Sequence, residues 1–81
     1  MNQPCKTKDI DAIIAKNVRI ARYLRELTLK DIGKILDVSG QQVQKYETGK
    51  SAISIDSLVR LAKALNLPIN FFFEEIDIKT L

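Results

Sequence analysis

The residues best equipped for chemistry fall in one short stretch. Gly40, Gln41, Gln42, Gln44 and Lys45 follow Ser39, and no acidic residue interrupts them before Glu47. A glutamine amide sets a donor beside an acceptor, the complement of the N6 and N7 edge of adenine, and a lysine ammonium donates to O6 and N7 of guanine. On a helix these side chains surround a narrow apolar stripe of Val43 and Tyr46, leaving an outward face suited to the major groove of a duplex. A merely solvated helix face has the same composition, so the surrounding elements must decide between the two.

Other chemistries find little to work with. The chain has 81 residues, no histidine and a single cysteine, Cys5, so it offers neither a cysteine–histidine pair nor an internal disulfide. It has no clustered carboxylates in a recognisable site and no glycine-rich phosphate loop, and catalysis, metal binding, cofactors and small-molecule ligands are not expected. Cys5, in a polar stretch, reads as an incidental thiol. Apolar residues make up 46% and charged residues 28% of the chain, in line with a soluble globular domain. The apolar runs are too short to span a bilayer, and residues 1–8 lack the apolar core of a signal peptide, so a cytoplasmic, nucleoid-associated location is expected.

The formal net charge of +3 is slight, but its distribution is uneven. Lys16, Arg19, Arg22, Arg25, Lys30, Lys34, Lys45 and Lys50 outnumber Glu26, Asp31, Asp37 and Glu47 in the middle of the chain. From Pro68 onward the sign reverses, with Glu74, Glu75 and Asp77 against Lys79. A basic middle and an acidic end suit different partners.

The elements that must position the polar face are short helices separated by brief turns, and no sustained period-two alternation suggests a sheet. A first helix is expected from the N-cap Asp9 to about Glu26 or Leu27, with Ile10, Ile14, Val18 and Ala21 on one face. Thr28 and Asp31 have the form of a capping box, opening a helix whose inward face holds Ile32, Ile35 and Leu36. Asp37 and Val38 then make a tight connection. Ser39 and Gln42 repeat the box and open the helix that carries the polar face, which Gly49 ends. Ser54 caps a fourth helix through Leu58, Leu61, Ala62 and Leu65, closed by Asn66 and Pro68. The apolar segment 69–73 is expected to begin a short fifth helix. These boundaries give an N-terminal tail 1–8, a domain 9–75 and a C-terminal tail 76–81.

Two short capped helices, 28–36 and 39–48, joined by a tight turn have the spacing of a helix-turn-helix. Over roughly residues 14–73 the sequence resembles the XRE-like family of Cro and phage-repressor type. The resemblance is carried by Thr28-Leu29-Lys30-Asp31-Ile32-Gly33, Val38-Ser39, Val43-Gln44-Lys45-Tyr46-Glu47-Thr48-Gly49-Lys50 and the helix from Ser54 to Leu65. It implies an all-α, compact five-helix lambda-repressor-like domain. Helices 2 and 3 would form the helix-turn-helix, helix 3 would lie in the major groove, and a homodimer would bind a palindromic operator in double-stranded DNA as a transcriptional regulator, a repressor in many relatives.

Carried over by position, Gln41, Gln42 and Lys45 match base-reading places, with Gly40 at a place that usually has a longer side chain and Gln44 beside them. Thr28, Thr48, Lys50 and the backbone around Ser51 and Ala52 match phosphate-contacting positions, joined more loosely by Arg19 and Lys34. Arg22 and Glu47 match residues that form a partly buried ion pair. Leu29 departs from a glutamine common at that place, Gly33 from an alanine, and Asp37 from a turn glycine. Asp37 would need the left-handed backbone that aspartate tolerates better than most residues.

Phe71, Phe72 and Phe73 cannot all face inward, since consecutive helical residues lie about 100° apart. Phe71, Phe73, Ile76 and Ile78 are therefore expected to contribute to a dimer seam. The alternative is a protein-interaction module, such as an antitoxin-like or antagonist protein, that uses the same scaffold to bind another protein through its acidic, phenylalanine-rich end.

Overall fold

In the computed structural model, which describes residues 4–76 and side chains from Ile10 onward, four α-helices follow one another: α1 (Pro4–Leu24), α2 (Leu29–Leu36), α3 (Gly40–Glu47) and α4 (Ile55–Leu65). A 3₁₀ turn (Ile69–Phe73) completes the order, and the described residues contain no strand. The expected fifth helix is thus a 3₁₀ turn. The tighter winding, three residues per turn, sets the successive rings in separate directions, so that Phe72 is buried, Phe71 half-buried and Phe73 exposed.

α1 begins at Pro4, upstream of the expected cap Asp9, so residues 4–8, expected as tail, have helical backbone. Proline at the first helical position gives up an N–H that would have no intrahelical partner there. The polar residues of this first stretch carry no apolar period, which is why the pattern placed the start later. Residues 1–3 and 77–81, with Ile78 and the end of the expected C-terminal tail, lie outside the described residues.

The starts of α2, α3 and α4 are held by side chains. Thr28 accepts from the Asp31 amide at 3.0 Å while the Asp31 carboxylate accepts from the Thr28 amide at 2.9 Å, a complete capping box. That backbone bond, reinforced by the Thr28 hydroxyl and by Lys34 and Lys30, holds the Asp31 carboxyl below the usual carboxylate range. The box therefore stabilises α2 above that range and loses its charge-assisted bond as pH falls through the lowered value. Ser39 accepts from the Gln42 amide at 3.0 Å, but only this half of the expected second box forms. Ser54 caps α4 through the Ser57 amide.

All four helices end in one way. An amide just past the helix reaches back five residues: Leu27 to the Arg22 carbonyl, Val38 to Gly33, Lys50 to Lys45 and Leu67 to Ala62, at 2.9–3.0 Å. Each of these amides follows a left-handed residue, namely Glu26, Asp37, Gly49 and Asn66. This is the Schellman arrangement, in which glycine is favoured because other L-residues strain their Cβ. Glu26, at φ 55, has neither glycine's freedom nor the short amide of asparagine. It also stops α1 at Leu24, short of the expected end. Glu26→Gly is expected to raise stability by about 0.5–1 kcal/mol, measured as an upward shift of the urea midpoint with unchanged slope.

The core gathers Val18 and Ala21 of α1, Ile32 and Leu36 of α2, Val43 of α3, the four expected residues of α4, and Phe72. Ile35 sits at its margin. Ile10, expected inward, is 44% exposed. Further along α1, Asn17 is buried instead. Its amide nitrogen donates to the carbonyls of Phe71 at 3.1 Å and Glu74 at 2.6 Å, fastening the 3₁₀ turn to α1. No helix of the described residues is long and apolar enough to cross a membrane.

Candidate nucleic-acid interface

α2 and α3 meet closely because Gly33 has no side chain. A methyl group there would stand 2.5 Å from the Val38 carbonyl oxygen, well inside contact distance. Asp37 turns the chain in the left-handed conformation at φ 61, ψ 45, and Ser39 starts α3 two residues later. The second helix is thereby fixed at a definite angle to the first, and its buried side, Val43 and Glu47 with Tyr46 half-buried, is anchored to the core.

This anchoring decides the character of the opposite face. Gln41, Gln44 and Lys45 are exposed, and Gly40 and Gln42 are half-buried. Together with Thr48 and Lys50, the residues Gln41, Gln44 and Lys45 border one open hollow. Glu47 is the only acid of α3, and it is turned inward. Arg22 grips it with two parallel bonds, Nε to Oε2 at 2.7 Å and Nη2 to Oε1 at 3.0 Å. The side chains are 13% and 2% exposed, respectively. Arg22 also donates to the Leu27 carbonyl at 3.2 Å, so one guanidinium joins α1, α3 and the turn before α2. The bond to Glu47 outweighs burial and raises the Arg22 pKa further. Arg19, 47% exposed, lies 3.5 Å from the same carboxylate. The carboxylate is thus buried beneath two arginines, and the outward face of α3 carries amides and an ammonium without an opposing charge.

Basic and polar groups flank this face at both ends. Lys30 and Lys34 border the surface beside the start of α3 with Gly33, Asp37, Val38, Ser39 and Gly40. Arg19, Thr48 and Gly49, with Lys16, line a cleft near its end. Two expected phosphate groups are already engaged. The Thr48 hydroxyl donates to the Gln44 carbonyl at 3.0 Å, and the Ser51 amide donates to the Lys45 carbonyl at 3.2 Å. Both add a second bond to carbonyls at the end of α3 that already accept from the Thr48 and Lys50 amides. Ala52 and Lys50 are exposed, as is Thr28 at the start of α2.

Of the expected seam residues, Phe73 is 36% exposed, and Phe71 and Ile76 are half-buried. Phe71 packs edge-on against Phe72, with centroids 5.3 Å apart. Sequence reasoning passed over Asn17. The signal was its place on the apolar side of α1, three residues after Ile14 and four before Ala21, where a polar side chain is buried and must be bonded. Among the described residues no group of three histidines, cysteines or carboxylates could hold a metal ion.

Comparison with known proteins agrees with this geometry. Residues 18–72 match the helix-turn-helix family. Uncharacterized transcriptional regulators of Rickettsia conorii and Rhodospirillum rubrum are 37% and 38% identical over 68 residues, covering 84% of this chain and 54% and 63% of theirs. The chain spans about half the length of most curated relatives it matches. Among solved structures, a hypothetical transcription factor from Neisseria superposes with a TM-score of 0.74 at 18% identity, over 84% of this chain and 78% of that one. The P22 c2 repressor, solved with a synthetic operator, gives 0.67 at 19% identity, over 78% of this chain and 96% of that one. These two likenesses establish a lambda-repressor-like fold.

Proposed function

This chain belongs to the XRE, Cro and C1 type of helix-turn-helix regulators, and from that premise we propose that it is a sequence-specific regulator of transcription, acting as a repressor. It binds a palindromic operator in double-stranded DNA as a homodimer, with α3 in the major groove. The observation that carries this reading is the disposition of α3: its one carboxylate is buried against Arg22, while Gln41, Gln44 and Lys45 face solvent.

Gln41 and Lys45 read bases, with Gln42 and Gln44 beside them. Lys30, Lys34, Arg19, Lys50, Thr28 and the backbone near Ala52 hold the phosphates on either side. Phosphate contacts set register and salt dependence, and base contacts set sequence. Phe73 and Ile76, with Phe71 and the neighbouring Ile78, supply the seam between two copies, which places two α3 helices on successive turns of one groove.

The test is selection of bound sequences from a random duplex pool. A palindrome with half-sites about ten base pairs apart is expected. Gln41→Ala and Lys45→Ala should each relax one position of the half-site, by about 1–3 kcal/mol of discrimination. Lys50→Ala should weaken binding evenly across sequences and lower the salt slope by about 1. Recovery of no motif, or of one indifferent to Gln41 and Lys45, would overturn the base-reading assignment and favour a protein partner on the same scaffold.

A further inference from the structure

α1 carries a second stripe that is longer than the segment covering it. Ile10, Ile13, Asn17, Ile20 and Leu24 recur at spacings of three and four, which sets them on one side of the helix, beside the core-facing Ile14, Val18 and Ala21. The middle of this stripe is buried, Asn17 at 1% and Ile20 at 6% exposure, where Asn17 bonds the carbonyls of Phe71 and Glu74. Toward the start of α1 the cover runs out. Ile10 is exposed and Ile13 half-buried, and with Ile76 they line an open trough of about 480 Å³. Lys16 of α1 and Glu75, beyond the 3₁₀ turn, also border it. Both are exposed, and among the described residues neither forms an ion pair.

We propose that a second copy of the chain docks on this trough, with Ile10, Ile13 and Ile76 of the two copies packed together and Lys16 of each facing Glu75 of the other. The inference rests on the homodimer proposed above and extends its seam from the 3₁₀ turn onto α1, since Ile76 belongs to both. A two-fold interface has to be self-complementary, because the same surface meets itself. A trough bordered by charge of one sign would set like charges together across the axis. Here a lysine and a glutamate flank an apolar floor, so the rotation that joins the floors gives each charge an opposite partner, twice per dimer. An apolar centre with a charged rim is also the usual anatomy of a protein interface. α1 holds α3 through Arg22 and Glu47, so docking through α1 ties the spacing of the two α3 helices to one rigid element.

The test is sedimentation equilibrium of the full chain without DNA, which keeps it independent of base reading. Lys16→Glu and Glu75→Lys, both at exposed positions, should fold normally. Each turns two attractive pairs of the dimer into repulsive ones and should weaken it by about tenfold. An equimolar mixture of these two variants should form a heterodimer close to wild type in affinity, because the two substituted residues then face each other and so do the two native ones. Ile10→Ser removes apolar surface from both copies and should weaken the dimer by about tenfold as well. A dimer that none of these changes weakens overturns this inference alone, leaving the seam to Phe73 and Ile76 and the trough to another segment or another protein. Weakening in both charge variants without recovery in their mixture overturns it too, since the two residues would then not meet across the axis. A chain that stays monomeric at every concentration overturns the homodimer proposal together with it.

Discussion

Replacing Arg22 with methionine should destabilise the domain by about 3 kcal/mol at neutral pH, and replacing Glu47 with leucine alone by a similar amount. Removing one partner of a buried ion pair leaves the other charge without compensation, and such losses run to about 3–5 kcal/mol. The lower end applies because Arg19 stands 3.5 Å from Glu47 and can partly neutralise it, while Arg22 keeps its bond to the Leu27 carbonyl. The double variant Arg22→Met, Glu47→Leu should recover most of the loss, since apolar side chains of similar volume avoid desolvating two charges. Urea titrations of wild type, both single variants and the double variant form the cycle that isolates the coupling. A double variant as unstable as the sum of the singles would mean that the two side chains act independently, contrary to their paired 2.7 and 3.0 Å bonds. The pair also fixes α3 to α1 and, in the complex proposed above, holds a carboxylate away from the phosphates, so Arg22→Met should lower affinity beyond any effect on folding.

What the sequence made legible was the chemistry decided within a few residues. Thr28, Ser39 and Ser54 cap helices because their oxygens reach amides three residues on, and Asp37 and Asn66 take left-handed turns for equally local reasons. The apolar period of α4 was clear for the same cause. The expected face of α3 also followed from local pattern, since Val43 and Tyr46 mark the side that must be covered. Distant partners stayed out of view. The Asn17 amide nitrogen finds its partners in the carbonyls of Phe71 and Glu74, more than fifty residues away, and no local pattern announces them. Family resemblance, and not periodicity, suggested that Arg22 would meet Glu47. The start of α1 at Pro4 lacked any apolar period to mark it.

Phe72→Ala is the second change expected to have a large effect, costing about 3–5 kcal/mol. The ring has no exposed surface and belongs to the same cluster as Val18, Leu58, Leu61 and Leu65, so the 3₁₀ turn closes the core and does not merely decorate it. Truncation would leave a cavity lined by helices that are pinned by their own caps, which limits collapse into the space. A domain of this size has only a modest reserve of stability, about 0.05–0.15 kcal/mol per residue, so the change should remove a large share of it. Ile55→Ala is the control, because this side chain of α4 is 65% exposed and its removal should cost well under half as much. If Phe72 closes the core, the urea midpoint of Phe72→Ala falls while the slope stays near wild type, as for one cooperative transition. A lower slope with a nearly unchanged midpoint would instead show that the 3₁₀ turn undocks on its own, leaving the four helices folded. In that event Asn17, with its partners gone, would be the residue whose exposure reports the opening, through earlier exchange of the surrounding α1 amides.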